Sequence, residues 1–238
     1  LRYQVYYLEK NNSPNSKATR SGMDRDLYDD YATHVVVTHT KADGTEKIIG
    51  TSRMIFEQDL PPGSPGFYTE QEFDCSALIK DNKKLMEIGR VCIDKNFRTG
   101  NVLSMLWKYT MTLIVEFNVE RMFGCGSFIG ADPDQHAHAL SYLYHNHLAP
   151  ETIRPEAHQP RAAINRLPKE KIDHRLAIKQ IPALLRGYLR LKANISGSAY
   201  IDKALNMVDI VIFVDKENIP LNSRLNRITG QHSERSGT

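Results

Sequence analysis

The fold is decided by residues 84–107, which read KLMEIGRVCIDKNFRTGNVLSMLW. Residues 85–93 are rich in Leu, Met, Ile and Val, which predicts a strand at the centre of a sheet. A turn containing Gly100 follows, and apolar residues spaced three and four apart after it predict a helix. The free amides of the first helical turn and the helix dipole both favour an anion. The stretch therefore predicts a phosphate site with Arg98 as its charged partner; the alternative is a tight turn with Arg98 in solvent.

Strand patterns lie on both sides of this stretch. Two β-branched runs, 34–40 and 47–56, are joined by Asp43-Gly44, which is a strong hairpin signal. Residues 121–128 and 208–214 predict further strands. A hairpin first, a strand–turn–helix in the middle and strands again at the end predict an α/β (α+β) fold, with a mixed central sheet flanked by helices.

The second half of the chain predicts a different mixture of elements. Asp132-Pro133 begins a helix over residues 132–146, since Asp is a good cap and Pro suits the first helical position. Residues 150–173 are predicted to be irregular and residues 181–193 helical. Two polar segments, residues 11–22 and the tail after Asn222, predict a loop and a frayed end.

Composition is that of an ordinary globular protein, but charge is unevenly distributed. The 238 residues are 41% hydrophobic with a net charge of +3, and they contain no apolar run long enough to cross a membrane. Residues 154–192 hold ten Lys or Arg and only three acids. This basic segment predicts a surface for an acidic partner or an anionic membrane; the alternative is a solvated charged face.

Cysteine usage and the first residues bear on location. The three cysteines lack CxxC spacing, which argues against a disulfide framework and a zinc site and favours a reducing cytoplasm. The chain opens on Leu1 without a signal-peptide pattern. We therefore expect a cytoplasmic protein whose natural N-terminus lies upstream.

Several segments, in order over nearly the whole chain, carry a resemblance to a known family. They are MEIGRVC at 86–92, FRTG at 97–100, FGCGS at 123–127 with Asp132-Pro133, and LLRGYLRL at 184–191 with Tyr200-Ile-Asp202. They resemble the ornithine-acyl carrier protein N-acyltransferases of ornithine-lipid biosynthesis. These belong to the GCN5-related N-acetyltransferase superfamily, near the acyl-homoserine lactone synthases.

The resemblance implies the GCN5-related acyltransferase fold with a C-terminal extension. Residues 1–131 would form the acyltransferase core with the donor-binding strand–turn–helix. Residues 132–238 would form the extension, which completes the sheet and carries the basic segment, within one structural domain.

The candidate general base is Glu87. A carboxylate on a mostly apolar strand should have a raised pKa and can accept the proton of an amine directly or through a water. The resemblance places Glu87 and Arg90 where the lactone synthases carry Glu-x-x-Arg. The alternative is a structural ion pair between the two residues.

The predicted donor is an acyl thioester on a phosphopantetheine arm, with no tightly bound cofactor. The superfamily's phosphate turn is one residue longer and has a second glycine, so its shortened form here weakens the case for coenzyme A. It remains compatible with acyl carrier protein, whose arm has a single phosphate. The predicted donor-binding residues are Val91 and Cys92, as amide donors to the oxyanion, and Arg98, Gly100, Asn101, Val102 and Leu103.

Other residues are predicted to contact the acceptor amino acid and the acyl chain. The resemblance places Arg53 in the family's Gly-Thr-x-Arg stretch, where it would bind the acceptor's carboxylate; the alternative is a surface arginine. It also places Asp26 and Asp29 where the lactone synthases carry an acidic pair, which would attract the extra ammonium group of ornithine unless they are ordinary loop acids. Trp107, Met111 and Phe123 are predicted to line an acyl tunnel, with core packing as the alternative, and Ser127 is predicted to contact substrate.

Three other chemistries are disfavoured. Cys125 could act as a nucleophile, but no Cys-His-Asp order is recognisable and a small buried cysteine is the simpler interpretation. The histidines of residues 136–147 lack a metal-site pattern such as HExxH, so no metal is expected. No nucleic-acid-binding motif accompanies the basic segment.

The sequence therefore predicts an N-acyltransferase that moves a 3-hydroxy fatty acyl chain from acyl carrier protein to the α-amine of ornithine, which forms lyso-ornithine lipid. Peripheral contact with an anionic membrane is expected. One alternative is an N-acyl amino acid or acyl-homoserine lactone synthase with a different acceptor. Another is a non-catalytic module that binds acyl carrier protein.

Overall fold

The computed structural model describes residues 1–9, 21–98 and 100–219. Most of the loop predicted over residues 11–22, and the tail after Asn222, lie outside the described residues. No helix within the described ranges is long and apolar enough to cross a bilayer.

Strands and helices are interspersed along the described chain. The strands are β1 (Thr33–Thr40), β2 (Glu46–Phe56), β3 (Phe73–Asp74), β4 (Leu85–Ile93), β5 (Arg121–Ile129), β6 (Glu156–Ala157), β7 (Arg161–Ala163), β8 (Asn194–Ile195), β9 (Ser198–Asp202) and β10 (Met207–Asp215). The α-helices are α1 (Ser76–Ile79), α2 (Asn101–Glu116), α3 (Ala137–His147), α4 (His174–Gln180) and α5 (Ala183–Leu189). A π-helical turn (Gln4–Leu8) and a 3₁₀ turn (Tyr68–Gln71) also bear on the site.

The main sheet is mixed, which confirms the predicted fold class. Its strand order is β1-β2-β4-β5-β10-β9-β7, with β8 paired to β10, and β3 pairs separately with β6. The β4–β5 pair is parallel, whereas the other pairs are antiparallel. Strand β10 pairs with β5 along nearly its whole length. The C-terminal half of the chain therefore continues the sheet begun by the N-terminal half.

The two parallel strands pair only at their beginnings. The β4–β5 register runs from Leu85↔Arg121 to Glu87↔Phe123 and then stops. At the next step the strands are in close contact, because a Cβ on Gly124 would lie 2.1 Å from the carbonyl oxygen of Ile88. Beyond this point the backbones of the two strands line a cavity. Residues after Glu87 therefore present one edge of β4 to open space.

Each face of the sheet packs on its own hydrophobic cluster. One cluster contains residues of α2, α3 and α5, including Leu106, Leu140 and Leu185. The other contains Phe67, Leu78 and further residues from the 3₁₀ turn, α1 and the short β3–β6 pair. Side chains alternate between the two faces, since successive residues of a strand point in opposite directions.

Most predicted elements are present with small differences at their ends. Strand β4 and the start of α2 lie where the sequence placed them, and the Asp132 carboxylate accepts the amide of Asp134 at the start of the next helix. That helix begins as a 3₁₀ turn before α3. Residues 150–173 are less irregular than predicted because β6 and β7 occupy part of them, and α4 was missed. The proposed division at residue 131 stays a prediction.

Candidate active site

Glu87 lies at the last position where β4 pairs with β5, and the two parallel strands separate after it. Its side chain is only 3% exposed. The amides of Tyr68 and Thr69 each donate to one of its carboxylate oxygens at 2.7 Å, and the Thr69 hydroxyl donates a third hydrogen bond. The carboxylate therefore holds the start of the 3₁₀ turn over the site.

Burial dominates the protonation of Glu87. Desolvation raises its pKa above the ordinary value, while the hydrogen bonds from Thr69 and Tyr68 and the charge of Arg53 oppose part of that rise. A raised pKa brings the carboxyl group closer to the pH at which a base can both lose and accept a proton. The environment of Glu87 suits a general base.

Arg90 does not form the ion pair with Glu87 that was considered from the sequence. Its Nε and NH2 atoms bind Asp24 and Asp26 at 3.1 Å, and its guanidinium lies 4.5 Å from the ring centre of Tyr68. The backbone at Arg90 has a φ of +51°, and the β2–β4 register shifts beside it. This bulge re-aims the chain after Glu87.

Arg53 is an interior residue, not a surface arginine. It is 1% exposed on β2, and its NH1 atom binds Asp26 at 2.6 Å and Asp29 at 3.1 Å. Arg2 binds Asp29 as well. Burial alone would raise the pKa of Asp29, but its hydrogen bonds with Arg2 and Asp26 and the charges of Arg2 and Arg53 bring it well below the usual range.

These arginines change the interpretation of Asp26 and Asp29. The sequence placed an anionic patch there for the ammonium group of ornithine. The structure surrounds the two carboxylates with arginine side chains, so their charge is already compensated. The role of Asp26 and Asp29 toward ornithine stays a prediction, with arginines as competing partners of both carboxylates.

The predicted phosphate turn has the expected backbone. Gly100 adopts a φ of +95°, which favours glycine, and α2 begins at the next residue, Asn101. Arg98 is not simply solvated, because it donates to the carbonyl of Ile93 and binds Glu9. Val102 is 5% exposed and belongs to the core. The turn residues stay candidates for phosphate binding, with Glu9 as a competitor for Arg98.

A cavity of about 170 Å³ lies between the separated strands. Gly89, Arg90 and Val91 line it from β4, and Cys125 and Ser127 line it from β5. Cys92, the other predicted amide donor, is 1% exposed and faces Thr51 in the β2 register. Of the two predicted amides, Val91 is therefore the one placed at the cavity.

The structure does not bring together the three residues predicted to line an acyl tunnel. Trp107 and Leu103 line a small apolar cavity beside Tyr188, whose ring is 4.7 Å from that of Trp107. Phe123 lies in the hydrophobic cluster on the opposite face of the sheet, and Met111 lies in the core beneath α2. The face that holds Trp107 is the one that adjoins the cavity between β4 and β5.

Sequence reasoning missed a group of three carboxylates beside Glu87. Glu72, Asp202 and Asp209 offer oxygens that all lie within 4.8 Å of one another. They line a cavity of about 60 Å³ together with Glu87 and Arg90. Burial, and next the charge of Asp209, raise the pKa of Glu72 to about 8. Asp202 ends one of the segments that carry the resemblance, but nothing marked it as part of a site.

Cys125 and the histidines gain no catalytic character from their surroundings. Burial and the neighbouring charge of Glu72 raise the pKa of the Cys125 thiol well above its usual value, which keeps it protonated. His136, His145 and His147 each contact a backbone carbonyl oxygen. Within the described ranges, the residues grouped closely enough to hold a metal ion are the three carboxylates.

Comparison with known proteins identifies the type of domain that this fold represents. The family model described as an acetyltransferase (GNAT) domain matches residues 1–108. That match and the mixed sheet together indicate the fold of a GNAT domain.

Curated relatives identify the kind of acyltransferase to which the chain is similar. The L-ornithine N(alpha)-acyltransferase of Rhizobium meliloti (strain 1021) is 33% identical over 89% of this chain and 73% of the relative. The protein of the same name from Agrobacterium fabrum is 32% identical over 92% and 76%. The solved structure of a CoA-dependent acyl-homoserine lactone synthase aligns with 100% of this chain and with 86% of the synthase, at 11% identity and a TM-score of 0.47. At this level of similarity it supports no statement about function.

The chain belongs to the family of L-ornithine N(alpha)-acyltransferases, which confirms the resemblance found in the sequence. An enzyme of this kind requires an acyl donor and an amino-acid acceptor.

Proposed function

We propose that this protein transfers a fatty acyl chain, in its 3-hydroxy form, from acyl carrier protein to the α-amine of L-ornithine. The product would be lyso-ornithine lipid. The observation that carries the proposal is the buried Glu87, in a chain whose relatives are named for this acceptor. Glu87 lines a cavity that shares Arg90 and Cys125 with the cavity between β4 and β5.

The donor's arm would lie between the separated strands. The edge of β4 after Glu87 offers backbone groups to the amides of a pantetheine chain, in the manner of strand addition. The thioester would then lie near Val91, and the phosphate near Gly100 and the first amides of α2. Arg98 would leave Glu9 to bind that phosphate. A single phosphate suits the short turn, which supports acyl carrier protein over coenzyme A.

The reaction requires one proton to leave the attacking amine. The α-amine attacks the thioester carbonyl carbon, the carbonyl oxygen gains negative charge, and the amide of Val91 stabilises that charge. The carbon–sulfur bond then breaks, and the thiolate of the pantetheine arm leaves. Glu87 takes the proton from the amine, directly or through a water, and returns it to solvent or to the thiolate. No group beyond the two substrates is consumed.

The basic segment would dock the acidic carrier protein. Arg175 and Lys179 are exposed on α4, one helical turn apart, and Leu176 and Ile178 beside them are 36% and 42% exposed. Charged and apolar groups side by side suit a partner that is acidic and partly apolar. Arg186, by contrast, donates to the carbonyls of Ile178 and Ile181 and so holds the end of α4 in place.

Product mass spectrometry tests the proposal. The protein is incubated with 3-hydroxyacyl carrier protein and a pool of free amino acids that includes ornithine. A product with the mass of acyl plus ornithine supports donor and acceptor together. Acylation of another amino acid contradicts the acceptor, and transfer from acyl-coenzyme A alone contradicts the donor.

A further inference from the structure

Glu72, Asp202 and Asp209 form an acidic wall in the cavity that Glu87 lines, and none of the three takes part in the proposed acyl transfer. We propose that Glu72, Asp202 and Asp209 form a subsite for the side-chain ammonium group of a diamino acid acceptor. This inference rests on the proposed function and deepens it, because it assigns the residues that would distinguish ornithine from amino acids with neutral side chains.

The three carboxylates are buried and come from different elements. Glu72 follows the 3₁₀ turn and is 8% exposed, Asp202 ends β9 and is 9% exposed, and Asp209 lies within β10 and is 3% exposed. Isolated ionised carboxylates are unfavourable at such depth, so a group of three needs protons or a cation. Three separate elements thus bring an acidic group into the lining of the cavity that Glu87 also lines.

Two of these carboxylates keep an oxygen available. Oε2 of Glu72 contacts the thiol of Cys125 at 3.3 Å, but its Oε1 atom accepts no hydrogen bond from any described residue. Asp202 accepts the amide of Leu205 at Oδ1 only. Neither residue forms an ion pair with an arginine or lysine in the described part of the chain. The acidic group formed by Asp24, Asp26 and Asp29 differs, since arginines bind all three.

The distance between the base and the acidic wall suits ornithine. Successive contacts of 2.5, 3.6 and 3.3 Å connect Glu87 to Glu72 through the Thr69 hydroxyl and the Cys125 thiol. The two nitrogens of an extended five-carbon diamino acid are about 6 Å apart, from ordinary bond lengths. Because the three contacts set an upper limit on the separation of the two carboxylates, one extended molecule with a hydrogen bond at each end is long enough to join Glu87 to Glu72.

An ammonium group fits this wall better than a divalent metal ion. It has three N–H donors, which match three carboxylates that each offer one oxygen. Magnesium and calcium prefer six or more oxygen ligands. The positive charge of Arg90, which lines the same cavity, repels a doubly charged cation more strongly than a singly charged one.

The test compares L-ornithine with L-norvaline, which has the same carbon chain without the side-chain amine. In Asp202→Asn the new amide retains an oxygen for the Leu205 N–H, so the local turn is preserved. We expect kcat/KM for ornithine to fall roughly 10- to 100-fold relative to kcat/KM for norvaline, as for loss of one charge-assisted hydrogen bond. Asp134→Asn, at an exposed carboxylate paired with Arg166, is the matched control and should change neither.

A second measurement does not depend on turnover. Ornithine should raise the Tm of the wild type, norvaline should not, and the ornithine effect should shrink in Asp202→Asn and Glu72→Gln. An unchanged ornithine-to-norvaline ratio together with an unchanged Tm shift would overturn the inference. So would activity that is lost with a chelator and restored by Mg²⁺ or Ca²⁺, because the cluster would then bind metal. A wild type that acylates no ornithine would instead refute the proposed function.

Discussion

Replacing Glu87 by Gln separates chemistry from architecture at the centre of the site. The substitution preserves side-chain volume and one acceptor oxygen, but it removes the negative charge. The new NH2 group must also face the backbone N–H of Tyr68 or Thr69, which donate to the carboxylate in the native protein. A donor would then face a donor inside a buried site.

Two effects of different size follow. Loss of a general base lowers kcat by roughly 10²- to 10⁴-fold. Loss of one charge-assisted hydrogen bond costs about 1.5–3 kcal/mol of unfolding free energy. In a chain of this size each kcal/mol lowers Tm by about 2–4 °C, so the variant remains folded at 25 °C while its turnover falls.

The pH dependence of kcat/KM identifies the base. Burial raises the pKa of Glu87. As the pH is lowered, the wild-type kcat/KM should therefore begin to fall at a pH above the ordinary pKa of a glutamate. Glu87→Gln should lack that fall. Thr69→Val is the matched control: it removes a hydrogen bond that lowers this pKa, so the fall should move to higher pH while the carboxylate remains. Turnover of Glu87→Gln within about 3-fold of the wild type would refute the assignment.

Three further perturbations test other parts of the account. Gly124→Ala should lose about 1–3 kcal/mol of stability by forcing β4 and β5 apart, measured by denaturant unfolding. In the wild type, the stability that comes from the raised pKa of Glu72 is complete below the unfolded pKa of 4.5 and is lost as the pH rises through the folded pKa of about 8. The Tm of Glu72→Gln should therefore increase relative to that of the wild type as the pH rises from 4.5 to about 8. Reversing Arg175 and Lys179 to Glu should raise KM for acyl carrier protein about 3- to 30-fold at low salt.

Each of these has a matched comparison. Gly89→Ala places its Cβ where no atom lies within 4 Å, so equal destabilisation by the two glycine substitutions would refute the close-contact argument. A Tm difference between Glu72→Gln and the wild type that does not change with pH would show that Glu72 does not titrate in that interval. For the charge reversal, an acyl-pantetheine donor without the protein should be unaffected, and an effect that persists at high salt contradicts electrostatic docking.

Local sequence patterns predicted the elements that would hold the donor in the proposed site. The apolar run of β4, the glycine at the start of α2 and the capping Asp132 act within a few residues, so their structure follows from local chemistry. Glu87 was recognised because an acid within an apolar strand is unusual, and the structure buries it as expected.

The carboxylates of the proposed acceptor subsite could not be predicted in the same way. Glu72, Asp202 and Asp209 are separated by as much as 137 positions, and only the placement of β10 beside β5 and β9 brings them together. The available signal was Asp209 within the otherwise apolar start of β10. The arginine partners of Asp26 and Asp29 could not be predicted for the same reason, since Arg2, Arg53 and Arg90 lie on distant parts of the chain.

The most direct test of the account is the position of the new amide bond in the product. Tandem mass spectrometry of N-acylornithine distinguishes acylation of the α-nitrogen from acylation of the side-chain nitrogen. With the α-amine at Glu87 and the side-chain ammonium held by the three carboxylates, the account predicts acylation of the α-nitrogen alone. A product acylated on the side-chain nitrogen, or a mixture of both, would contradict this arrangement of the substrate.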